Sequence, residues 1–76
     1  MVRAYVMIDA VAGESEALIA GVRECRGVEE AHIVAGDHDI IAELEVDQVY
    51  EVLNTVSTGI RNLDAVADTK TYVSLG

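Results

Sequence analysis

The hydrophobic residues of this chain follow two periods that alternate along the sequence. Apolar side chains recur at every second position over residues 2–8 and 40–46, the pattern of a strand with one buried face. After each run, apolar residues recur at steps of three and four, which predicts a helix. These helical stripes contain Leu18, Val22 and Cys25 in the first half and Val49, Leu53, Val56, Ile60 and Leu63 in the second. Asp47 is the predicted N-cap of the second helix, and further strands are predicted around residues 31–35 and 69–75.

The second half of the sequence repeats the first. A shift of half the length places GVRECRGV (21–28) on GIRNLDAV (59–66), and it places Val2, Ala4, Val6, Ile8 and Asp9 on Ile40, Ala42, Leu44, Val46 and Asp47. Each copy is predicted to be strand, helix, strand. Two such units joined by right-handed crossovers form an α+β, ferredoxin-like βαββαβ domain over residues 1–76, with a four-stranded antiparallel sheet and two helices on one face.

A sheet covered on one side only has an open face, and the alternation assigns residues to it. The apolar ones are Tyr5, Met7, Val34, Ile41 and Tyr72. Small soluble monomers rarely leave such a patch in water. We therefore expect a homodimer that pairs two sheets through these five residues.

The charge balance excludes several classes of partner. Fourteen acidic residues against five basic ones give a formal charge of −9, which repels phosphate backbones and anionic lipid surfaces. We therefore expect neither direct nucleic-acid binding nor membrane binding. The N-terminal apolar run is too short and too interrupted for a signal peptide or a membrane span, so a cytoplasmic location is expected.

The acidic, lysine-poor composition predicts a halophilic protein. Lys70 is the only lysine, and so few cations leave the carboxylates to repel one another at low ionic strength. We expect the melting temperature to rise between dilute buffer and molar KCl, because salt screens this repulsion. A flat or falling melting temperature in a calorimetric salt series would contradict the prediction.

Gly36, Asp37, His38 and Asp39 separate the second predicted strand from the third. Gly and Asp are typical of tight turns because they allow φ > 0 and side-chain bonds to the backbone, so the segment is predicted to be a hairpin turn. Neighbouring side chains diverge, which makes the three polar residues poor metal ligands. No nucleophile or convergent second carboxylate accompanies them, so no catalytic residue, metal or cofactor is predicted. A solvated turn and a binding loop both remain open.

The order of motifs resembles one family over nearly the whole chain. A helix followed by Gly27-Val28, the Gly-x-x-Asp hairpin of residues 36–39 and the Thr-x-Thr strand of residues 69–71 are similar to the effector-binding (RAM) domain of Lrp/AsnC transcription regulators. The resemblance implies a ferredoxin-like fold, dimerisation through the sheet, rings of dimers, and amino acids bound between neighbouring dimers. In the family a DNA-binding helix-turn-helix precedes this domain. None precedes it here, so a stand-alone effector domain is expected, with full-length Lrp/AsnC regulators as further partners.

The resemblance also implies a set of effector-binding residues. Gly36 would shape the hairpin and let backbone amides meet a ligand carboxylate. Asp39 would face a ligand ammonium, with Asp37 and His38 on the rim, and the hydroxyls of residues 69 and 71 would come from the last strand. This chain departs from the family in having His38 where an aromatic residue is frequent and Asp64-Ala65-Val66 in place of Pro-Gly-Val. The repeat register places Thr69 and Thr71 at the positions equivalent to Ala31 and Ile33, on the helix-covered face, which favours a structural role for Thr71 and leaves both roles open for Thr69.

Three functions therefore remain. The first is a non-enzymatic, amino-acid-binding regulatory and oligomerisation module of transcription regulation. The second is an assembly module that binds no small molecule. The third is a small ferredoxin-like dimeric enzyme, which would need polar groups in a cavity where this sequence supplies Val, Ile and Ala. An ACT-type regulatory domain would also bind amino acids, but near Ala12-Gly13 instead of Gly36.

Overall fold

The computed structural model describes all 76 residues. Its elements, in chain order, are β1 (Val2–Ala10), α1 (Ser15–Glu24), β2 (Val28–Ile33), β3 (Ile40–Val46), α2 (Val49–Asn54) and β4 (Val66–Val73). A π turn (Thr55–Gly59) and a 3-10 turn (Ile60–Asn62) continue α2 toward β4. Neither helix is long and apolar enough to cross a membrane.

The four strands form one antiparallel sheet in the order β2-β3-β1-β4. This arrangement with two helices confirms the predicted ferredoxin-like fold. The closing strands begin earlier than the alternation indicates, at Val28 and Val66, because each is entered directly from the turn that ends its helix. One irregularity lies between Asp9 and Ala10 at the end of β1, where the register with β4 shifts.

The core lies between the sheet and the helices and consists of thirteen buried apolar residues. They are Ala4, Val6, Ile8, Leu18, Ile19, Val22, Ala31, Ile40, Ala42, Leu44, Val52, Val56 and Ile60. The inward faces predicted for β1 and β3 are confirmed, except that Val2 and Val46, at the strand ends, are only half-buried. With no Phe or Trp available, branched aliphatic side chains provide most of the burial.

The predicted buried face of the second helix is wrong within α2. Val49 and Leu53 are 49% and 59% exposed, whereas Val52, Val56 and Ile60 are buried. The π turn that follows α2 has more residues per turn than an α-helix. Apolar residues before and after it therefore need not lie on one face, even when their spacing is that of an α-helix. The N-cap is also one residue later than predicted. It is Gln48, whose backbone N–H donates to the Glu51 carboxylate at 2.7 Å.

The sequence repeat is visible as matched contacts between its two copies. A Cβ on Gly21 would lie 3.1 Å from Cδ2 of Leu63, and a Cβ on Gly59 would lie 3.4 Å from Sγ of Cys25, the repeat equivalent of Leu63. The two glycines therefore let the helices approach each other closely. Burial raises the pKa of the half-buried Cys25 thiol, with a smaller contribution from the neighbouring glutamate charge.

The equivalent arginines also match. Arg23 donates to the carbonyl of Ala31 at 2.8 Å, and Arg61 donates to the hydroxyl of Thr69, the repeat equivalent of Ala31, at 3.0 Å. Each guanidinium thus joins the end of its helical segment to the strand that follows. Both arginines therefore have a structural role, with groups of the following strand as their partners.

The turn between α1 and β2 depends on Gly27. Its φ is +87°, a conformation that side chains disfavour, and a Cβ on it would lie 2.7 Å from Cγ1 of Val46. The hydroxyl of Thr55 donates to the carbonyl of Arg26 at 2.7 Å and fixes the preceding residue. The Gly27-Val28 motif is therefore a conformational requirement of this turn.

Candidate functional site

The hairpin loop of residues 34–39 joins β2 to β3, and Asp39 ties it to β1. The Asp39 backbone N–H donates to the carbonyl of Ile8 at 3.0 Å, and its carbonyl accepts from the Val34 N–H at 2.8 Å. Its Oδ2 accepts from the backbone N–H of Ala10 at 2.8 Å, at the register shift in β1. Asp39 is therefore a structural residue of the sheet as well as a residue of the turn, and one of its carboxylate oxygens has no partner in the chain.

His38 is held against the end of β1 by an acidic side chain. Its Nδ1 lies 2.8 Å from Oδ1 of Asp9, and both side chains are partly exposed. Asp9 is paired with Asp68 on β4, which is exposed. Carboxylates from β1, β4 and the hairpin thus gather at one end of the sheet, with one imidazole among them.

Four backbone amides in the hairpin have no partner within the chain. The N–H groups of residues 35–38 donate to no protein atom, and the Asp37 carboxylate accepts no hydrogen bond. Gly36 is exposed, and a Cβ on it would meet nothing within 4 Å. The expectation that Gly36 supplies a positive φ is wrong, because only Gly13 and Gly27 adopt one. The chain turns here over six residues, and this length removes the need for a left-handed residue.

Thr69 and Thr71 lie on the face of the sheet that the helices cover. They pair with Ile8 and Val6, whose side chains are fully buried on that face. Thr69 is at the same end of the sheet as the hairpin, but its hydroxyl accepts the Arg61 hydrogen bond described above. The register expected from the repeat is therefore confirmed, and the structure does not bring these two hydroxyls together with the hairpin residues on one face.

The open face of the sheet carries the predicted apolar patch. Tyr5 pairs with Tyr72 on β4, and in the next row Met7 pairs with Ile41 on β3. Tyr72 is 54% exposed, and the other three side chains are half-buried in the single chain. Val34 lies just beyond β2 and is also half-buried. These residues form one surface of aromatic and aliphatic groups without a helix over it.

One arginine provides the charge pairing on this face. Arg3 donates to Glu43 at 2.8 Å and to Glu45 from the other guanidinium nitrogen. The hydrogen bond that Arg3 donates to Glu43 and the negative charge of Glu45 raise the pKa of Arg3 above its ordinary value. No other Lys or Arg forms an ion pair in the chain, since Arg23 and Arg61 donate to uncharged groups. Most of the fourteen carboxylates therefore remain without a cation, as the predicted salt dependence requires.

Nowhere do three His, Cys, Asp or Glu side chains approach closely enough to hold a metal ion.

A model of the Lrp/AsnC ligand-binding domain matches residues 3–76. The chain belongs to this family. Lrp/AsnC proteins are transcription regulators, and this domain is their regulatory ligand-binding module. No curated protein sequence matches the chain significantly.

Solved structures repeat the Lrp/AsnC fold across nearly all of the chain. TTHA0845 from Thermus thermophilus is 29% identical, with a TM-score of 0.94, over 100% of this chain and 95% of that one. AsnC from E. coli is 18% identical, with a TM-score of 0.90, over 99% of this chain and 51% of that one. The regulator NMB0573 from Neisseria meningitidis, solved as a complex with L-Met, is 16% identical, with a TM-score of 0.86, over 99% and 50%. At these identities the last two comparisons show the fold alone.

The Gly-x-x-Asp motif does not predict two groups that contact the hairpin of this Lrp/AsnC domain. Asp9 binds His38, and the Ala10 N–H binds Asp39. A signal for Asp9 was present, because it continues the alternation of Arg3, Tyr5 and Met7 and so faces the open side of β1. The Ala10 contact depends on the register shift, for which the sequence carries no local sign.

Proposed function

We propose that this domain is a non-enzymatic regulatory module that binds an amino-acid effector at the hairpin end of its sheet. The observation that carries the proposal is the hairpin itself, where four free backbone N–H groups lie beside the carboxylates of Asp37 and Asp39. An α-amino acid presents a carboxylate and an ammonium close together. A site for it needs N–H donors for the first and a carboxylate for the second. Membership in the Lrp/AsnC ligand-binding family supports the same function.

Each hairpin residue has a distinct part in this proposal. The N–H groups of residues 35–38 donate to the effector carboxylate, and the free oxygen of Asp39 accepts a hydrogen bond from the ammonium. Asp37, exposed at the tip, adds negative charge on the rim. His38 is fixed by Asp9 and closes one side of the site. Thr69 and Thr71 have no part in the contacts on this face, because they lie on the other side of the sheet.

An exposed hairpin buries little of a ligand, so the site is completed by another copy of the domain. The apolar open face of Tyr5, Met7, Val34, Ile41 and Tyr72 pairs two domains into a homodimer, because pairing removes this surface from water. Neighbouring dimers then bring hairpins together around the effector and form a ring. The effector regulates by stabilising this assembly, or that of full-length Lrp/AsnC regulators carrying the same domain.

One observation favours assembly without a ligand as the second candidate. Asp39 already accepts the Ala10 N–H, and His38 already pairs with Asp9, so both side chains have a role in the folded chain alone. In that case the hairpin is only a sheet terminus, and the open face is the functional surface.

Substitution of Asp39 separates the two candidates. Asp39→Asn keeps an oxygen for the Ala10 N–H and should leave the fold intact, but it should weaken effector binding by about 2 kcal/mol because the ammonium loses its charged partner. Asp39→Ala should lose the same binding energy and, in addition, about 1 kcal/mol of folding stability, since the Ala10 N–H loses its acceptor. Calorimetry with the amino acid that most stabilises the wild type measures the first effect, and urea unfolding measures the second.

Glu29→Gln is the matched control for charge, because Glu29 is exposed on β2 and forms no hydrogen bond or ion pair. It should bind the effector as the wild type does. If Asp39→Asn also binds with unchanged affinity, Asp39 serves the hairpin alone and the proposed ammonium contact is wrong.

A further inference from the structure

A groove of about 410 Å³ lies at the end of the β2-β3 pair opposite the hairpin. It is bounded by the turn before β2, the end of β3 and the first turns of α2. Gly27 and Thr55 line it, and the Thr55 hydrogen bond to the Arg26 carbonyl fixes the turn. The positive φ of Gly27 and this hydrogen bond fix the conformation of the turn before β2, so the shape of the groove is fixed on that side.

The groove contains two opposite charges that are not used within the chain. The guanidinium of Arg26 forms no hydrogen bond or ion pair, and neither does the carboxylate of Asp47. The other two carboxylates of the lining are engaged, since Glu45 pairs with Arg3 and Glu51 accepts the backbone N–H groups of residues 47 and 48. Arg26 and Asp47 do not pair with each other, so both remain available to a ligand in the groove.

The repeat provides an internal comparison for this lining. A second groove, of about 370 Å³, lies at the equivalent place in the other half of the molecule, where Asp64 and Ala65 replace Arg26 and Gly27. Its lining is largely apolar and includes Leu18 and Leu63. The fold therefore forms a groove at this position with either kind of lining. The free charges of the first groove are not required by the architecture.

We propose that the first groove binds a small dibasic amino acid, at a site separate from the hairpin. Arg26 binds the ligand carboxylate, and Asp47 binds a ligand cation. Three carboxylates line the groove against the single guanidinium of Arg26, and Glu51 is hydrogen-bonded only to uncharged N–H groups, so this lining favours a ligand whose net charge is positive. The ring of Tyr50, which is 65% exposed and lines the groove, covers the aliphatic part of the ligand.

L-lysine is the probe, and calorimetry at low salt with NMR of the Arg26 side-chain N–H locates and measures its binding. We expect the affinity to fall about tenfold in Arg26→Gln and in Asp47→Asn, the effect of losing one charged hydrogen bond in each. Asp64→Asn removes one charge from the equivalent groove and should change the affinity little. Cadaverine, which lacks the carboxylate, should lose no affinity in Arg26→Gln, because the guanidinium that is removed repels a dication. L-norleucine, which lacks the side-chain ammonium, should be the weaker ligand.

The affected side chains separate this site from the hairpin site. Lysine that shifts the Arg26 resonance and loses affinity in both groove variants supports the proposal, whatever happens at the hairpin. Lysine that does not bind the wild type, binds either groove variant with wild-type affinity, or shifts only hairpin resonances would overturn it and leave the hairpin proposal as it stands.

Discussion

Gly27→Ala should lower the free energy of unfolding by about 2–4 kcal/mol. Alanine at a φ of +87° is strained, and its Cβ would stand 2.7 Å from Cγ1 of Val46, a short and branched side chain that has little freedom to move away. A domain of this size has about 5 kcal/mol of stability in total, so the variant should be partly unfolded at moderate temperature. Urea unfolding followed by circular dichroism measures the loss.

The other glycines separate the two causes. Gly13 has a φ of +79° but no atom within 4 Å of an added Cβ, so Gly13→Ala should show the backbone strain alone, about 1–2 kcal/mol. Gly36 has neither a positive φ nor a close neighbour, so Gly36→Ala should change stability by less than about 1 kcal/mol. Adding Val46→Ala to Gly27→Ala should recover the part due to the clash. Equal losses at all three glycines would contradict this explanation.

Ile41→Glu should weaken the proposed homodimer by about 2 kcal/mol or more, roughly a thirtyfold rise in the dissociation constant. Ile41 is central to the open face, since it pairs with Met7 on one side and His32 on the other. A carboxylate there would lose its hydration on pairing of the sheets and would gain no cation, because the arginine on this face already binds two glutamates. Sedimentation velocity over a concentration series measures the change.

Ile33→Glu makes the same chemical change outside the proposed interface. Ile33 is 46% exposed near the end of β2 and pairs with Ile40, a residue of the helix-covered face. This control should dimerise as the wild type does. If Ile41→Glu also remains a full-strength dimer, the sheet face is not the interface.

The strands were predictable because burial on one face imposes a period of two that few other structures produce. Val6, Ile8 and Ala42 are buried as the alternation predicts. The buried face of the second helix was less predictable. Val49 and Leu53 have the spacing of a buried helical stripe, but both side chains are exposed. A π turn changes the rotation per residue, and no local sequence pattern marks it.

The candidate site was predictable only in part. The Gly-x-x-Asp motif located the hairpin, and the repeat register placed Thr69 and Thr71 on the covered face. The sheet order is what brings the end of β1 against the hairpin, so the partners of His38 and Asp39 depend on tertiary structure. A left-handed glycine was expected in the hairpin, but the two that occur are Gly13 and Gly27, and Gly27 lies in the three-residue turn between α1 and β2.

A thermal-shift screen of the wild-type domain against the standard amino acids in concentrated KCl tests amino-acid binding most directly. A ligand that binds only the folded state raises the melting temperature by mass action, by an amount that grows with its concentration. The proposed effector function predicts that at least one amino acid raises the melting temperature of the wild type, and that its effect is much smaller in Asp39→Asn. A melting temperature that no amino acid changes would contradict the effector function and favour assembly without a ligand.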